Sequence, residues 1–266
     1  MRTRVSYDVR FEWGPAGAAA LAPSSSCLVV VDVLSFSTSV TVAVEAGTRV
    51  YPCAWQDESA AEFARSHRAE LAVGRRAVSA ARPWSLSPAA LRRAPFVPRL
   101  VLPSPNGSAI CAAAAEGAGM GGAGGEGAVA AGHAGAVTVI AGCLRNAAAV
   151  GRFLRGSPGP VTIIAAGERW PGGSLRPALE DLLGAGAILA ALRGPAGLDS
   201  LSPEAEAARA CFEATADVAA AVSGCASGRE LIEGGFGEDV AIAAEIGACL
   251  VVPVLTDGAF TAAPGQ

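Results

Sequence analysis

Short runs of β-branched residues alternate along this chain with alanine-rich segments of helical pattern. The first part reads β-α-β-α-β, with strands at 27–33, 48–54 and 69–74 and helices at 37–47 and 57–67. Strands that are apolar throughout are typical of a parallel sheet covered on both faces. The alternation therefore predicts an α/β fold, in which a mostly parallel sheet is flanked by helices on both faces.

The same alternation continues to the end of the chain. Further strands are expected at 99–102, 136–142, 160–167 and 249–255, and helices are expected from about 106 and near 145–155, 176–192, 203–222 and 228–247. The glycine-rich stretch 117–136 predicts a linker or a long loop. We expect one α/β unit over residues 1–266, and two lobes joined near 117–136 remain an open alternative.

Composition excludes several classes of partner. The chain is 52% hydrophobic with a net charge of −4, and it has no long run of basic residues to suggest binding to nucleic acid or to an anionic membrane. No apolar run is long enough to span a bilayer, and the first residues lack the apolar core of a signal peptide, so we expect a cytoplasmic protein. Only 17% of residues are charged, which predicts an apolar surface and a homodimer.

The scarcity of particular side chains limits the chemistry. All 20 basic residues are arginine, so a P-loop lysine, a Schiff base and a lysine general base are impossible. The two histidines, His67 and His133, are too few for a histidine-rich metal site. The seven cysteines form no C-x-x-C pair and lie mostly among apolar residues, which predicts reduced thiols in the core.

Four turns stand where ligands bind in such folds, beyond the carboxyl ends of strands. They read "DVLSFSTS" (32–39), "PSPNGS" (103–108), "AGCLRN" (141–146) and "AAGERWPGGSLRPALED" (165–181). In the first, Asp32 ends a strand, and hydroxyl residues including Ser37 and Thr38 either cap the next helix or donate hydrogen bonds to an anion at its N-terminus.

The second and third turns add further polar side chains. Asn106 and Ser108 flank Gly107 in a tight turn that opens a helix. Arg145 and Asn146 directly follow a strand, where an arginine can hold a phosphate, sulfonate or carboxylate through two hydrogen bonds. The alternatives are a simple turn and a surface ion pair.

The fourth turn leads into a helix with two adjacent acidic residues among leucines. Glu180 and Asp181 point about 100° apart on such a helix, so one of them can face a cleft. Carboxylate oxygens are the ligands that Mg²⁺ prefers, and the ion readily bridges to phosphate. The residues alone therefore predict a Mg²⁺ site made by Asp32 with Glu180 or Asp181, serving phosphoryl chemistry.

Three common phosphatase mechanisms do not fit the sequence. No cysteine is followed six positions later by an arginine, so the phosphocysteine loop is absent. A haloacid-dehalogenase loop needs a second aspartate two places after Asp32, where Leu34 stands. A dinuclear metallophosphatase needs several histidines.

The turns resemble those of the 2-phosphosulfolactate phosphatase family, the ComB-like proteins of coenzyme M biosynthesis. The pieces that carry this resemblance are "VVVDVLSFSTSVTVAVEAG", "LAVGRRA", "WSLSPAAL", "LVLPSPNGSAI", "AGCLRNAAAV", "IIAAGERW…SLRPALEDLLGAGAI" and "EDVAIAAEIGACLVVPVLTDG". They occur in the family's order from residue 26 to about 260. The resemblance implies an unusual α/β fold and a Mg²⁺-dependent acid phosphatase that converts 2-phospho-3-sulfolactate to 3-sulfolactate and phosphate.

The resemblance assigns roles to particular positions. Its aspartate falls on Asp32, its Asn-Gly turn on Asn106 and Gly107, its "LN" turn on Asn146, and its "LED" on Glu180 and Asp181. It implies that Asp32, Glu180 and Asp181 hold Mg²⁺, and that water or Asp32 attacks phosphorus. Arg76, Arg145 and turn residues including Ser37, Thr38 and Ser108 are then expected to bind the anionic groups of a small phosphorylated substrate, with Glu168 and Arg169 as further candidates for the pocket lining.

Three departures from the family pattern leave the substrate open. Ser35 stands where the family often has an arginine, Arg75 replaces a glutamate in "GRR", and "SPNGS" replaces "TTNGT". One alternative is therefore a phosphatase for another small 2-phospho acid. A second is a non-catalytic protein that binds an anionic metabolite.

Overall fold

A computed structural model describes residues 7–54, 58–117, 137–193 and 200–264. The strands are β1 (Val9–Trp13), β2 (Cys27–Val31), β3 (Arg49–Cys53), β4 (Glu70–Leu71), β5 (Arg99–Pro103), β6 (Thr138–Gly142), β7 (Val161–Ala165), β8 (Glu168–Arg169), β9 (Leu175–Arg176), β10 (Pro253–Thr256) and β11 (Ala259–Ala262). The helices are α1 (Gly14–Leu21), α2 (Phe36–Glu45), α3 (Glu58–Ser66), α4 (Pro88–Arg93), α5 (Gly107–Gly117), α6 (Ala147–Leu154), α7 (Leu179–Leu192), α8 (Pro203–Ala214), α9 (Val218–Gly224), α10 (Ala226–Glu233) and α11 (Gly237–Ala243).

Nine of the strands form one sheet, in the order β1-β7-β2-β6-β10-β11-β3-β5-β4. The strands β1, β7, β2 and β6 are mutually parallel, and so are β3, β5 and β4. The hairpin β10–β11 joins these two groups through antiparallel pairs. Five of the eight neighbouring pairs are therefore parallel, which confirms the predicted α/β fold with a mostly parallel sheet.

Helices cover both faces of this sheet. Alternate residues of β2 face opposite ways, as the two-residue period of a strand requires. Val29 and Val31 pack with α6, α7 and α8 in one apolar cluster. Leu28 and Val30 pack with α1, α2 and α5 in another. Every residue of β2 is buried. The continuous apolar run in the sequence is therefore a strand covered on both faces, as predicted.

Several predicted elements have different boundaries in the structure. The strand expected at 249–255 begins at Pro253. The helix expected at 203–222 is interrupted before Asp217, whose side chain caps α9. The helix expected at 228–247 is likewise two helices, separated at Gly235, where φ is +87°. The sequence pattern did not predict β1, α1, α4, β11 or the small hairpin β8–β9.

Some expectations fall outside the described residues. These are the first residue of the helix expected at 57–67, the histidine His133 and nearly all of the linker expected at 117–136. Among the described helices, none combines the length and the apolar character needed to cross a bilayer. The expected homodimer and the expected cytoplasmic location stay predictions.

The close packing of α7 on α8 depends on a glycine, which gives a first prediction. A Cβ atom at Gly186 would lie 2.3 Å from the carbonyl oxygen of Ala208 and 2.6 Å from Cβ of Phe212. Because one of these is a backbone atom, Gly186→Ala should lower the free energy of unfolding by about 1–3 kcal/mol. Urea denaturation measures the loss.

Gly224→Ala is the matched control for this change. Gly224 is also helical, but a Cβ atom there would meet nothing within 4 Å. Since alanine favours helix more than glycine does, this variant should be at least as stable as the parent protein. Equal stability of the two variants would contradict the close contact of α7 with α8.

Candidate active site

A single cavity brings together polar residues from distant parts of the chain. Its volume is about 620 Å³, within the range of sites for small metabolites. It is lined by Asp32, Leu34, Ser35, Gly74, Arg75, Arg76, Ala77, Leu86, Ser104, Pro105, Asn106, Glu168, Ser227, Glu230, Leu231, Gly234 and Phe236. Three predicted site residues are among them: Asp32, Arg76 and Asn106. Glu168, which was a further candidate, lines the cavity as well.

Asp32 lies buried beneath the beginnings of two helices. Its Oδ1 accepts the N–H of Phe36 at 3.1 Å, in the first turn of α2, and its Oδ2 accepts the N–H of Gly107 at 3.2 Å, where α5 begins. Burial raises the pKa of Asp32 to about 7, the charge of Glu168 adds to the rise, and the two N–H groups and Arg75 oppose it. The residue combines capping with a place in the cavity, so the two predicted roles are not exclusive.

Glu168 is the second carboxylate of the cavity. It follows Gly167, whose φ of +65° favours glycine. A Cβ atom at Gly167 would also lie 2.9 Å from the carbonyl oxygen of Arg176. The amide of Asn106 donates to Oε2 of Glu168 at 3.1 Å. Burial raises the pKa of Glu168, the hydrogen bond from Asn106 opposes the rise, and the charge of Glu180 increases it.

Asp181 does not line the cavity, but it joins two of the loops that carry cavity residues. Its Oδ1 accepts the N–H of Val33 at 2.7 Å and its Oδ2 accepts the N–H of Gly167 at 2.8 Å. Each donor is the immediate neighbour of a cavity carboxylate, Asp32 or Glu168. Burial raises the pKa of Asp181 well above its usual range, and the charges of Glu180 and Asp32 add to the rise.

Glu180 is turned toward α10 instead of the cavity. Its Oε2 accepts a hydrogen bond from the thiol of Cys225 at 3.1 Å. Burial and the charge of Glu180 raise the pKa of Cys225 to about 12, which keeps the thiol protonated as a donor. The predicted metal-binding set Asp32, Glu180 and Asp181 is therefore not assembled, and the described residues contain no group of three or more His, Cys, Asp or Glu able to hold a metal ion. Sequence spacing alone could not show which way each carboxylate turns.

The predicted substrate-binding hydroxyls serve the backbone of the turns. The hydroxyl of Ser37 donates to the carbonyl of Val30 at 2.8 Å, and that of Thr38 donates to the carbonyl of Val33 at 2.7 Å. Ser108 makes a longer bond of 3.4 Å, to the carbonyl of Leu102. The cavity lining includes none of these hydroxyl residues, nor Gly107, whose N–H is directed at Asp32. The bonds of Ser37 and Thr38 match neither predicted role, because both hydroxyls donate to backbone carbonyls that precede α2 and cap none of its N–H groups.

Arg145 belongs to a separate, internal ion-pair network. Its side chain is 2% exposed and contacts Glu45 at 3.1 Å and Glu245 at 3.3 Å. It also donates to the hydroxyl of Thr41 at 3.1 Å. The prediction that Arg145 holds the substrate does not agree with this placement, because the residue does not line the cavity. The ion-pair alternative is nearer the structure, though the arginine is buried and not on the surface.

Asn146 is also structural. Its Oδ1 accepts the N–H of Cys143 at 2.9 Å, and its amide donates to the carbonyls of Ala141 and Val251. These bonds close the turn after β6 and tie it to the segment that leads into β10. A buried asparagine with all of its partners in the protein has no group left for a substrate.

Sequence reasoning missed two parts of the cavity wall. Arg75 was noted only as a departure, yet it lines the cavity beside Arg76. The helix α10 supplies Ser227 and Glu230, and nothing in its sequence pattern marked them as site residues. Arg76 makes no ion pair within the described part of the chain, whereas Arg75 pairs with Asp239 at 2.9 Å.

The comparison with known families identifies the family of this chain. The sequence profile of the 2-phosphosulpholactate phosphatase family matches residues 124–258, just over half of the chain. The chain belongs to the 2-phosphosulpholactate phosphatase family. It is a phosphoric monoester hydrolase. No curated protein matches the sequence.

The cavity is lined by residues from both inside and outside the matched range. Glu168, Ser227 and Glu230 lie within 124–258, whereas Asp32 and Asn106 lie before it. The resemblance noted at the turns from residue 26 onward therefore concerns the same cavity as the matched part.

The bridging contacts of Asp181 give a second prediction. Asp181→Asn places an N–H₂ group where one of two backbone N–H groups needs an acceptor, which should lower the free energy of unfolding by about 1–3 kcal/mol. The loosened loops should lower kcat by about 10²-fold, because small displacements of reacting groups have large effects. Phosphate release and thermal denaturation measure both effects.

Asp257→Asn is the control for that change, because Asp257 is exposed in the β10–β11 turn, and asparagine tolerates its φ of +52°. This variant should behave as the parent protein does. An Asp181→Asn variant with the parent's kcat and stability would disprove the bridging role.

The burial of Arg145 gives a third prediction. Arg145→Met removes a cation that donates to two carboxylates and a hydroxyl, so it should lower the free energy of unfolding by about 1–3 kcal/mol. The KM for substrate should not change, because the residue lies outside the cavity. Arg152→Met on α6 is the control, since Arg152 is exposed. A raised KM without loss of stability would return Arg145 to the substrate site.

Proposed function

We propose that this phosphatase hydrolyses the phosphate ester of a small 2-hydroxy acid, and that 2-phospho-3-sulfolactate is its substrate, yielding 3-sulfolactate and phosphate. One observation carries the proposal: a single cavity holds the carboxylates Asp32 and Glu168 together with the guanidinium groups of Arg75 and Arg76. Carboxylates suit a divalent cation that contacts phosphate, and arginines suit the remaining anionic groups.

The size and charge of the cavity support a compact, multiply charged substrate. About 620 Å³ accommodates a three-carbon acid with its phosphate and leaves room for water. Arg76 has no ion pair among the described residues, so its charge is available to an anion. Glu230 is already paired with Arg176 at 2.9 Å and adds little net negative charge to the lining. The apolar side chains of Leu86, Leu231 and Phe236 limit contact of the bound ester with solvent.

The donor set of the cavity fits Mg²⁺. Asp32 and Glu168 repel one another, and both have pKa values raised by burial, which is the environment that a dication would relieve. Protein sites for Mg²⁺ commonly supply only one or two carboxylates and complete the coordination with water and substrate phosphate. We therefore propose Asp32 and Glu168, in place of Glu180 and Asp181, as the residues that hold Mg²⁺.

When bound, Mg²⁺ would supply neutralisation of charge on the phosphate oxygens. The residues of the chain supply orientation. The N–H groups of Phe36 and Gly107 fix the plane of the Asp32 carboxylate, and the amide of Asn106 fixes that of Glu168. Arg76 holds an anionic group of the substrate. Attack on phosphorus by water and attack by Asp32 are both compatible with this arrangement.

A substrate panel gives the fourth prediction. We expect phosphate release from 2-phospho-3-sulfolactate to exceed release from 2-phospholactate and 2-phosphoglycerate, and to stop in EDTA and return with Mg²⁺. Preference for one of the other two acids would select the alternative 2-phospho acid phosphatase. Binding of these acids without release of phosphate would instead select the non-catalytic binding protein.

Asp32→Asn and Glu168→Gln test the two carboxylates directly. Each should lower kcat by at least about 10²-fold, as removal of a catalytic carboxylate usually does. The control is Glu233→Gln, because the side chain of Glu233 is 72% exposed near the end of α10 and does not line the cavity. A folded Asp32→Asn protein with full activity would remove Asp32 from the mechanism.

A further inference from the structure

Asp239 is a buried acidic residue that the proposed mechanism does not use. It lies on α11 and does not line the cavity. Its Oδ1 accepts the hydroxyl of Ser87 at 2.6 Å and the N–H of Ala89 at 3.1 Å, at the beginning of α4. Its Oδ2 accepts Nε of Arg75 at 2.9 Å. The carboxylate is therefore fixed by one helix and directed at an arginine of the cavity wall.

Arg75 is held at several points at once. Its Nη2 donates to the carbonyl of Leu34 at 3.0 Å and to the hydroxyl of Ser35 at 2.9 Å. Its guanidinium carbon lies 5.9 Å from the ring centroid of Phe236. Only 16% of the side chain is exposed. Among the described residues Nη1 has no hydrogen-bond partner, so one edge of a fixed guanidinium is left for a ligand in the cavity.

The neighbouring Arg76 differs in each of these respects. It lines the same cavity but is exposed, and no hydrogen bond or ion pair of its side chain exists within the described residues. A free arginine must lose rotamer freedom when it binds an anion, whereas a fixed arginine has already lost it. Arg75 is therefore the cation that can distinguish substrates by geometry.

We propose that Asp239 is a positioning residue that fixes the guanidinium of Arg75 as the receptor for a second anionic group of the substrate, a carboxylate or a sulfonate carried on the same small skeleton as the phosphate. This inference rests on the proposed function, because it assigns one end of the same cavity. Asp32 and Glu168 lie at the phosphate, and Arg75 binds the carboxylate or sulfonate of the same substrate.

A pair of closely matched esters isolates this second group. 2-Phosphoglycerate and glycerol 2-phosphate carry phosphate on the same carbon, but the second ester has a hydroxymethyl group in place of the carboxylate. KM and kcat are measured for both in the parent protein and in Asp239→Asn, and binding of both is measured by titration calorimetry. Glu238→Gln is the control, because Glu238 is the adjacent acidic residue on α11 and pairs with Arg93 at the surface.

We expect the parent protein to favour the acid, and Asp239→Asn to raise KM for 2-phosphoglycerate by about tenfold or more, the usual effect of losing one charged hydrogen bond. The KM for glycerol 2-phosphate and the kcat for both esters should change little. Arg75→Gln should abolish the same preference, and the double variant should be no worse than Arg75→Gln alone, because both changes remove one interaction.

Other outcomes separate the two proposals. Equal losses for both esters in Asp239→Asn, or an unchanged preference for the acid in Arg75→Gln, would overturn the positioning role even if phosphate is released. Should Asp239→Asn fail to fold, the Arg75→Gln result decides. If no ester is hydrolysed but calorimetry shows an acid preference that Asp239→Asn removes, the proposed reaction fails and the positioning role stands.

Discussion

Two hydrogen bonds accepted by Asp181 hold the cavity in shape, because they join loops that follow different strands. The N–H of Val33 follows β2, and the N–H of Gly167 follows β7. These two strands are parallel neighbours in register, so their loops leave the sheet side by side. Asp181 therefore sets the separation of Asp32 and Glu168, each one residue from a bonded N–H. A residue outside the cavity thus fixes the relative position of two residues that line it.

This arrangement concentrates negative charge in a buried region, and the fold offsets it with oriented backbone N–H groups. Asp32 receives N–H groups from the first turns of α2 and α5, and Asp181 lies in the first turn of α7. Each helix N-terminus stabilises a nearby carboxylate by roughly 0.3–1 kcal/mol. That compensation is partial, since burial and mutual repulsion still raise the pKa values of Asp32 and Asp181. The remaining imbalance supports the proposal that a cation occupies the cavity.

The sequence predicted the sheet better than it predicted the site, for a physical reason. Strands such as β2 are recognisable because burial on two faces demands apolar residues at every position. Three of the four turns expected on the ligand side contribute residues to the cavity, including Asp32, Asn106 and Glu168, whereas the turn 141–146 contributes none. Arg76 lines the cavity as well. Which way a polar side chain turns depends on distant partners. Asp181 turns to Gly167 and Glu180 turns to Cys225, and local spacing carries no information about either contact.

The arginines show most clearly that local sequence does not reveal the partners of a polar side chain. Arg145 and Arg75 both lie in turns. Each pairs with carboxylates far away in the sequence, Arg145 with Glu45 and Glu245 and Arg75 with Asp239. Arg145 pairs with Glu45 on α2 and with Glu245 in the segment after α11, so its charge stabilises the interior. For Arg75 a single buried carboxylate, Asp239, holds Nε and leaves Nη1 free of partners among the described residues. The number of donors left after the internal bonds are made, and not the position in the turn, decides which arginine can bind a ligand.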